Sequence, residues 1–104
     1  MDRVAFATTQ ALQLFGDRWF VAVLHQLLHG PLRNGELRRR VPGISQRMLT
    51  RTLAAMEKEG FVTRTVLCEK PLAVEYALTE LGQSLPEALG PVADWALGHT
   101  RVPN

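Results

Sequence analysis

Four side chains suited to bonding base edges fall close together: Gln46, Arg47, Thr50 and Arg51. On a helix they share one face, because residues three and four apart stack on the same side. In a DNA major groove, Arg can bond guanine bidentately and Gln can bond adenine. Thr can meet a polar edge or a thymine methyl. Met48, Leu49, Thr52, Leu53 and Met56 recur at helical spacing and form an apolar stripe on the opposite side. Pro42-Gly43 is a turn dipeptide and Ser45 is an N-cap candidate. Gly60 stands just past Lys58 and Glu59, where a C-terminal Gly belongs. The pattern predicts a two-faced helix that lays residues 44–51 in a groove; an ordinary solvated helix face is the alternative. Ser45 is first of all a cap, although a hydroxyl at a helix N-terminus also meets phosphate readily.

Charge supports this reading. Residues Arg33 to Arg64 hold eight basic and three acidic side chains, a net +5, against −3 for the remainder and +2 for the whole chain. A basic middle on a slightly acidic body is an electrostatic footprint for a polyanion. Arg38, Arg39 and Arg40 form a triplet on the preceding helix, which in such motifs crosses the DNA backbone. One or two of them should touch phosphates, with the others solvated or paired with Glu36. Arg33, Arg64 and Lys70 complete the set of candidate DNA contacts.

Other chemistry is sparse. The single cysteine, Cys68, excludes an internal disulfide and a cysteine-based zinc site. An inert surface thiol is favoured there over a redox switch in which Lys70 lowers its pKa. His25 and His29 have metal-compatible spacing, but no acid or cysteine is nearby in sequence and no HExxH pattern occurs. No metal or cofactor is expected. No Ser/His/Asp grouping, catalytic carboxylate pair or Gly-rich phosphate loop points to an enzyme.

The elements that must position these residues follow from periodicity. Residues 4–15 predict a short helix with Leu12 and Phe15 inward, broken by Gly16. Asp17 caps a second helix, Arg18 to His29, apolar almost all round and therefore central. Gly30-Pro31 ends it. A short third helix begins near Arg33, anchored by Leu37 and Val41, and Pro42-Gly43 turns the chain into the two-faced helix. The result is a helix-turn-helix. Residues 61–67 and 74–78 read as two strands of a hairpin, or wing, with CEKPLA as its loop. Thr79 can cap a C-terminal helix whose Leu81, Leu85, Ala88, Val92, Trp95 and His99 form one seam. Pro86 and Pro91 should kink or break it, and Ser84 with Glu87 can restart it as a capping box. Part of that seam should pack on the first helix of a second copy.

With 104 residues, one domain over 1–104 is expected, burying roughly 60–70% of its unfolded surface. The partition is 1–16 and 79–101 as dimerisation helices, 33–60 as the helix-turn-helix and 61–78 as the wing. No apolar run approaches the ~18 residues of a membrane span, and no signal peptide is evident. A soluble cytoplasmic protein is expected, mainly α with a small β-hairpin.

In order and spacing, several segments resemble the HxlR-type winged-helix transcriptional regulators, relatives of the MarR type. They are LFGDRW (14–19), GPLRNGEL (30–37), PGISQRMLTRTL (42–53), EKEGFVTR (57–64) and VEYALTELGQSL (74–85), with Trp95 near the end. The resemblance implies a winged helix, dimeric through its terminal helices, that binds inverted-repeat DNA and is not an enzyme. Leu12, Phe15, Leu85, Ala88, Val92 and Trp95 are then the expected dimer interface. Three departures stand out. The N-terminal cysteine used by some members for redox sensing is missing from Ala5 to Gln10. Asn34 replaces a usual Phe and is positioned to cap the third helix. The usual wing, Tyr-Pro-Glu-Val-Pro-Pro-Arg, is LCEKPLA (67–73), which leaves Lys70 as a partial substitute for the lost Arg. The alternatives are a small-molecule or redox sensor dominated by effector binding, and a protein-interaction module that has lost DNA binding.

Overall fold

The computed structural model describes residues 2–99. Acceptor side chains start most of the helices. Helix α1 (Arg3–Phe15) begins at Asp2, whose carboxylate accepts the Ala5 N–H at 2.8 Å. Helix α2 (Arg18–Leu27) begins at Asp17, which accepts from Trp19 and Phe20. It stops short of the expected His29, because Leu28 is already its C-cap and Gly30 takes a φ of 134°. Helix α4 (Gln46–Lys58) begins at Ser45, whose Oγ accepts the Met48 N–H at 3.0 Å. Gly60, at φ 84°, ends it as expected. Its N–H donates to the Glu57 carbonyl and that of Phe61 to the Met56 carbonyl.

Helix α3 (Asn34–Arg40) corrects one expectation. Asn34 is its first residue, not its cap. Arg33 holds the cap position, and its backbone N–H donates to the Glu36 carboxylate at 3.1 Å. Arg33 also belongs to strand β1 (Leu32–Arg33), which the periodicity did not show.

The wing is therefore three-stranded. Strands β2 (Val62–Glu69) and β3 (Leu72–Leu78) form the hairpin, and β1 adds to the free edge of β3, in the order β1-β3-β2. Leu32 pairs with Tyr76 and Arg33 with Glu75. A two-residue strand carries no usable period, and its partner lies more than forty residues away. The hairpin is also longer than expected: most of CEKPLA is strand, and only Lys70-Pro71 lies between the two strands. A register shift between Val66 and Cys68 marks a bulge.

At the C-terminal end, Thr79 caps a helix of only four residues, α5 (Glu80–Gln83), and α6 (Leu85–His99) follows. The expected break falls at Ser84, and α6 runs on through Pro91. Ser84 does not form a capping box. Its hydroxyl donates back to the Leu81 carbonyl at 2.6 Å, and its backbone is already helical.

The core forms where these elements meet. Phe20, Val23, Leu24 and Leu27 from α2 pack with Leu49, Leu53 and Met56 from α4, and Leu32, Leu37, Val41, Ile44, Phe61, Val62 and Leu85 close round them. Phe20 meets Phe61 edge-on, with ring centroids 5.4 Å apart. Two residues expected at a dimer interface belong partly or wholly to this core. Leu85 is buried, and Phe15 is half-buried with its ring 6.5 Å from Phe20. The start of α6 and the end of α1 fold onto the core helices within the protomer, which takes Leu85 and part of Phe15 out of solvent. The other four remain open: Leu12 is 64% exposed, Val92 56% and Trp95 61%, and Ala88 is also exposed. Residues 1, 100 and 101 of the expected dimerisation spans lie outside the described residues.

Candidate nucleic-acid interface

Helix α4 has one buried and one open face. Leu49, Thr52, Leu53 and Met56 are buried, which pins its rotation about its own axis. Gln46, Arg47, Thr50 and Arg51 are consequently all exposed on the opposite face, as their spacing implied. Gln46 is hydrogen-bonded along the helix. Its Nε2 donates to Thr50 Oγ1 at 3.1 Å, one turn along. That bond leaves the Gln46 Oε1 and one amide hydrogen for a partner, and leaves Thr50 its hydroxyl hydrogen.

The flanking cations fall into separate groups. Arg38, Arg39 and Arg40 occupy the last turn of α3 and are exposed, where positive charge also suits the C-terminal end of a helix. Arg33 and Arg39 line one hollow of about 260 Å³ with Asn34, Gly35, Glu36 and the start of β3. The Arg39 guanidinium reaches back across its own helix to within 3.6 Å of where a Gly35 Cβ would stand. Arg64 is exposed on β2, in register with Tyr76. Lys70 is exposed at the wing turn. Leu67 and Leu72, also exposed there, make this wing end largely apolar.

Cys68 is exposed, but on strand β2 rather than in a loop. Its Sγ donates to the Lys70 backbone carbonyl at 3.5 Å. His25 Nδ1 bonds the Val21 carbonyl at 2.8 Å, and His29 lies beyond the end of α2, so the two do not form a helical i, i+4 pair. Among the described residues, no group of three or more His, Cys, Asp or Glu side chains is placed to hold a metal ion. No described helix is long and apolar enough to cross a membrane.

A helix-turn-helix followed by a small antiparallel sheet, with a polar exposed face on the second helix, defines a winged helix-turn-helix protein. The HxlR-like helix-turn-helix family model matches residues 14–102, and the chain belongs to that family. It is 45% identical to an uncharacterized HTH-type transcriptional regulator of Methanothermobacter thermautotrophicus, over 90% of this chain and 72% of the other. The reduced form of the transcriptional regulator YodB from Bacillus subtilis superposes with a TM-score of 0.84 at 34% identity, covering 100% of this chain and 99% of that one. A MarR-family regulator from Enterococcus faecalis gives a TM-score of 0.82 at 38% identity, over 94% and 88% of the two chains. YodB is also known in a quinone-bound form, similar at a TM-score of 0.78 and 34% identity over 94% of this chain and 99% of the other.

Sequence reasoning missed a second basic surface. Arg18, at the start of α2, lays its guanidinium over the Trp19 ring, 4.5 Å from the centroid. Arg18, Trp19, His25, Gln26, Arg40 and Pro42 line a hollow of about 300 Å³. The signal was divided between the LFGDRW segment and the arginine triplet, which are more than twenty residues apart.

Proposed function

We propose that this chain, a DNA-binding transcriptional regulator by family, works as a homodimer on inverted-repeat DNA, each protomer laying residues 44–51 in a major groove. The exposed Gln46, Arg47, Thr50 and Arg51 face, locked in place by the buried stripe behind it, carries this reading. Ser45, Arg33, Arg38, Arg39 and Arg64 supply backbone contacts around it. Lys70 is the one cation at the wing turn, so the wing contributes little to sequence reading.

The dimer is supported by exposed apolar side chains on the terminal helices. Helix α1 has no buried residue and exposes Val4, Phe6 and Leu12, while α6 exposes Val92, Trp95 and Leu97. Apolar surface of that extent is ordinarily covered by a partner. The protein acts in the cytoplasm, by occupying DNA and not by catalysis.

A second reading concerns control. An apolar cleft of about 320 Å³ lies between α2 and α6, lined by side chains including Phe15, Val21, Leu24, Leu89 and Val92. The quinone-bound form of YodB supports a small-molecule effector for this chain as well. Ala5 to Gln10 contain no cysteine, so any effector near α1 would bind there without a thiol adduct.

Selection of duplexes from a random pool, followed by gel shift and light scattering, tests the main reading. Enrichment of an inverted repeat and a mass of two protomers is the expected result. A strict monomer, or binding without sequence preference, would overturn it.

A further inference from the structure

We propose that Arg18 and Arg40 form a second phosphate clamp, a DNA-backbone site separate from the α4 face and from the hollow shared by Arg33 and Arg39. The inference rests on the DNA-binding reading above. Three observations carry it. Both guanidinium residues line one open hollow, and no carboxylate is among its lining residues. The nearest acids in sequence are engaged elsewhere: Asp17 caps α2 through the Trp19 and Phe20 N–H groups and borders a different hollow, and Glu36, one turn before Arg40, accepts the Arg33 N–H and lines the Arg33–Arg39 hollow. Two arginines with no carboxylate among the residues lining the same hollow leave their donors open to an anion.

The second observation is that Arg18 is held. Its guanidinium lies over the Trp19 ring, where stacking restricts the side chain while leaving its hydrogen-bond donors along the edge. The third is location. The Trp19 ring approaches within 3.9 Å of where a Gly43 Cβ would stand, and Pro42 forms part of the hollow's wall. Gly43 is two residues before Ser45, the cap of α4. The clamp is thus attached to the turn that delivers the recognition helix, where a DNA strand passing the start of α4 would meet it. His25 and Gln26 add polar edges, and the His25 Nδ1 already donates to the Val21 carbonyl.

The test compares wild type with Arg18→Gln, Arg40→Gln and the double variant. Each is titrated against the selected duplex and a random-sequence duplex over a range of salt concentrations. Each single variant should bind both duplexes several-fold more weakly, by the same factor. The slope of log affinity against log salt should fall by roughly 1 per contact removed. Sequence preference should not change. Arg18→Lys and Arg40→Lys should keep most of the slope, and all variants should melt with the wild type because both positions are exposed.

An unchanged affinity and slope in the double variant, with wild type binding normally, would overturn this inference alone. A wild type without salt-dependent DNA binding would overturn it together with the reading beneath it. An altered base preference would overturn it in favour of a base contact. Side-chain NMR shifts at Arg18 and Arg40 on adding inorganic phosphate, with DNA affinity unaffected by the variants, would reassign the hollow to a small free anion.

Discussion

The Gln46 amide and the Thr50 hydroxyl are joined before DNA arrives. Ordering a long side chain on binding costs free energy, and a side chain already held by a neighbour loses less. The pair should therefore read DNA as a unit. Gln46→Ala and Thr50→Ala should be non-additive on the selected duplex, with a coupling of about 0.5 kcal/mol or more; strict additivity in a double-mutant cycle counts against the unit. Arg47→Ala and Arg51→Ala should each cost about 1–3 kcal/mol if they bond a base, and each should relax preference at one position. If both variants keep wild-type affinity and preference, the α4 face is not the reader. Cys68 belongs at the same scale. With its Sγ exposed and bonded only to a backbone carbonyl, it should behave as an inert thiol. Oxidant should then affect DNA binding of wild type and Cys68→Ser alike.

Among the elements, the junction between wing and C-terminal helices depends on Thr79. Its hydroxyl donates to the Gly60 carbonyl at 2.6 Å and accepts the Gly82 N–H at 3.1 Å, and its backbone N–H donates to the Phe61 carbonyl. One residue thereby ties the end of β3 to the end of α4 and starts α5. Thr79→Ala should destabilise the fold by about 1–2 kcal/mol, measured by denaturant titration. Gly82 is buried against the same junction, and a Cβ there would run into the Phe61 carbonyl oxygen and the Leu78 side chain. Gly82→Ala should cost roughly 1–3 kcal/mol by overpacking. Thr79 was legible as a cap because capping is local. Its bond to Gly60 was not, since the two are nineteen residues apart. The same limit hid β1, whose pairing with β3 is a long-range backbone event with no side-chain period.

At the scale of the whole molecule, α1 is a helix of 13 residues that buries none of them. Isolated helices of that length are marginal in water, so packing must hold it. A partner's terminal helices would cover its apolar side chains together with Val92 and Trp95. Trp95→Glu, a change at a residue 61% exposed in the protomer, should leave the protomer folded and shift it to monomer in sedimentation. The same variant should lose inverted-repeat binding while keeping weak, salt-sensitive binding to any duplex. In the intact dimer the selected half-sites should lie about one helical turn apart, roughly 34–36 Å.

The local sequence determined the central part of the protein: caps at Asp17, Ser45 and Thr79, the stop at Gly60, and the division of α4 into a buried and an open face. Each follows from residues within one or two helical turns, where hydrogen-bonding distance and helical period tie cause to neighbour. Only the tertiary structure decided which of the expected interface residues are buried within the protomer. Leu85 and Phe15 turn inward and Val92 and Trp95 stay open, because that depends on where α2 lies relative to both ends of the chain. It also brought Arg18 to Arg40 and Arg33 to Arg39 and β3, since charges distant in sequence become one site only when packing fixes the path between them.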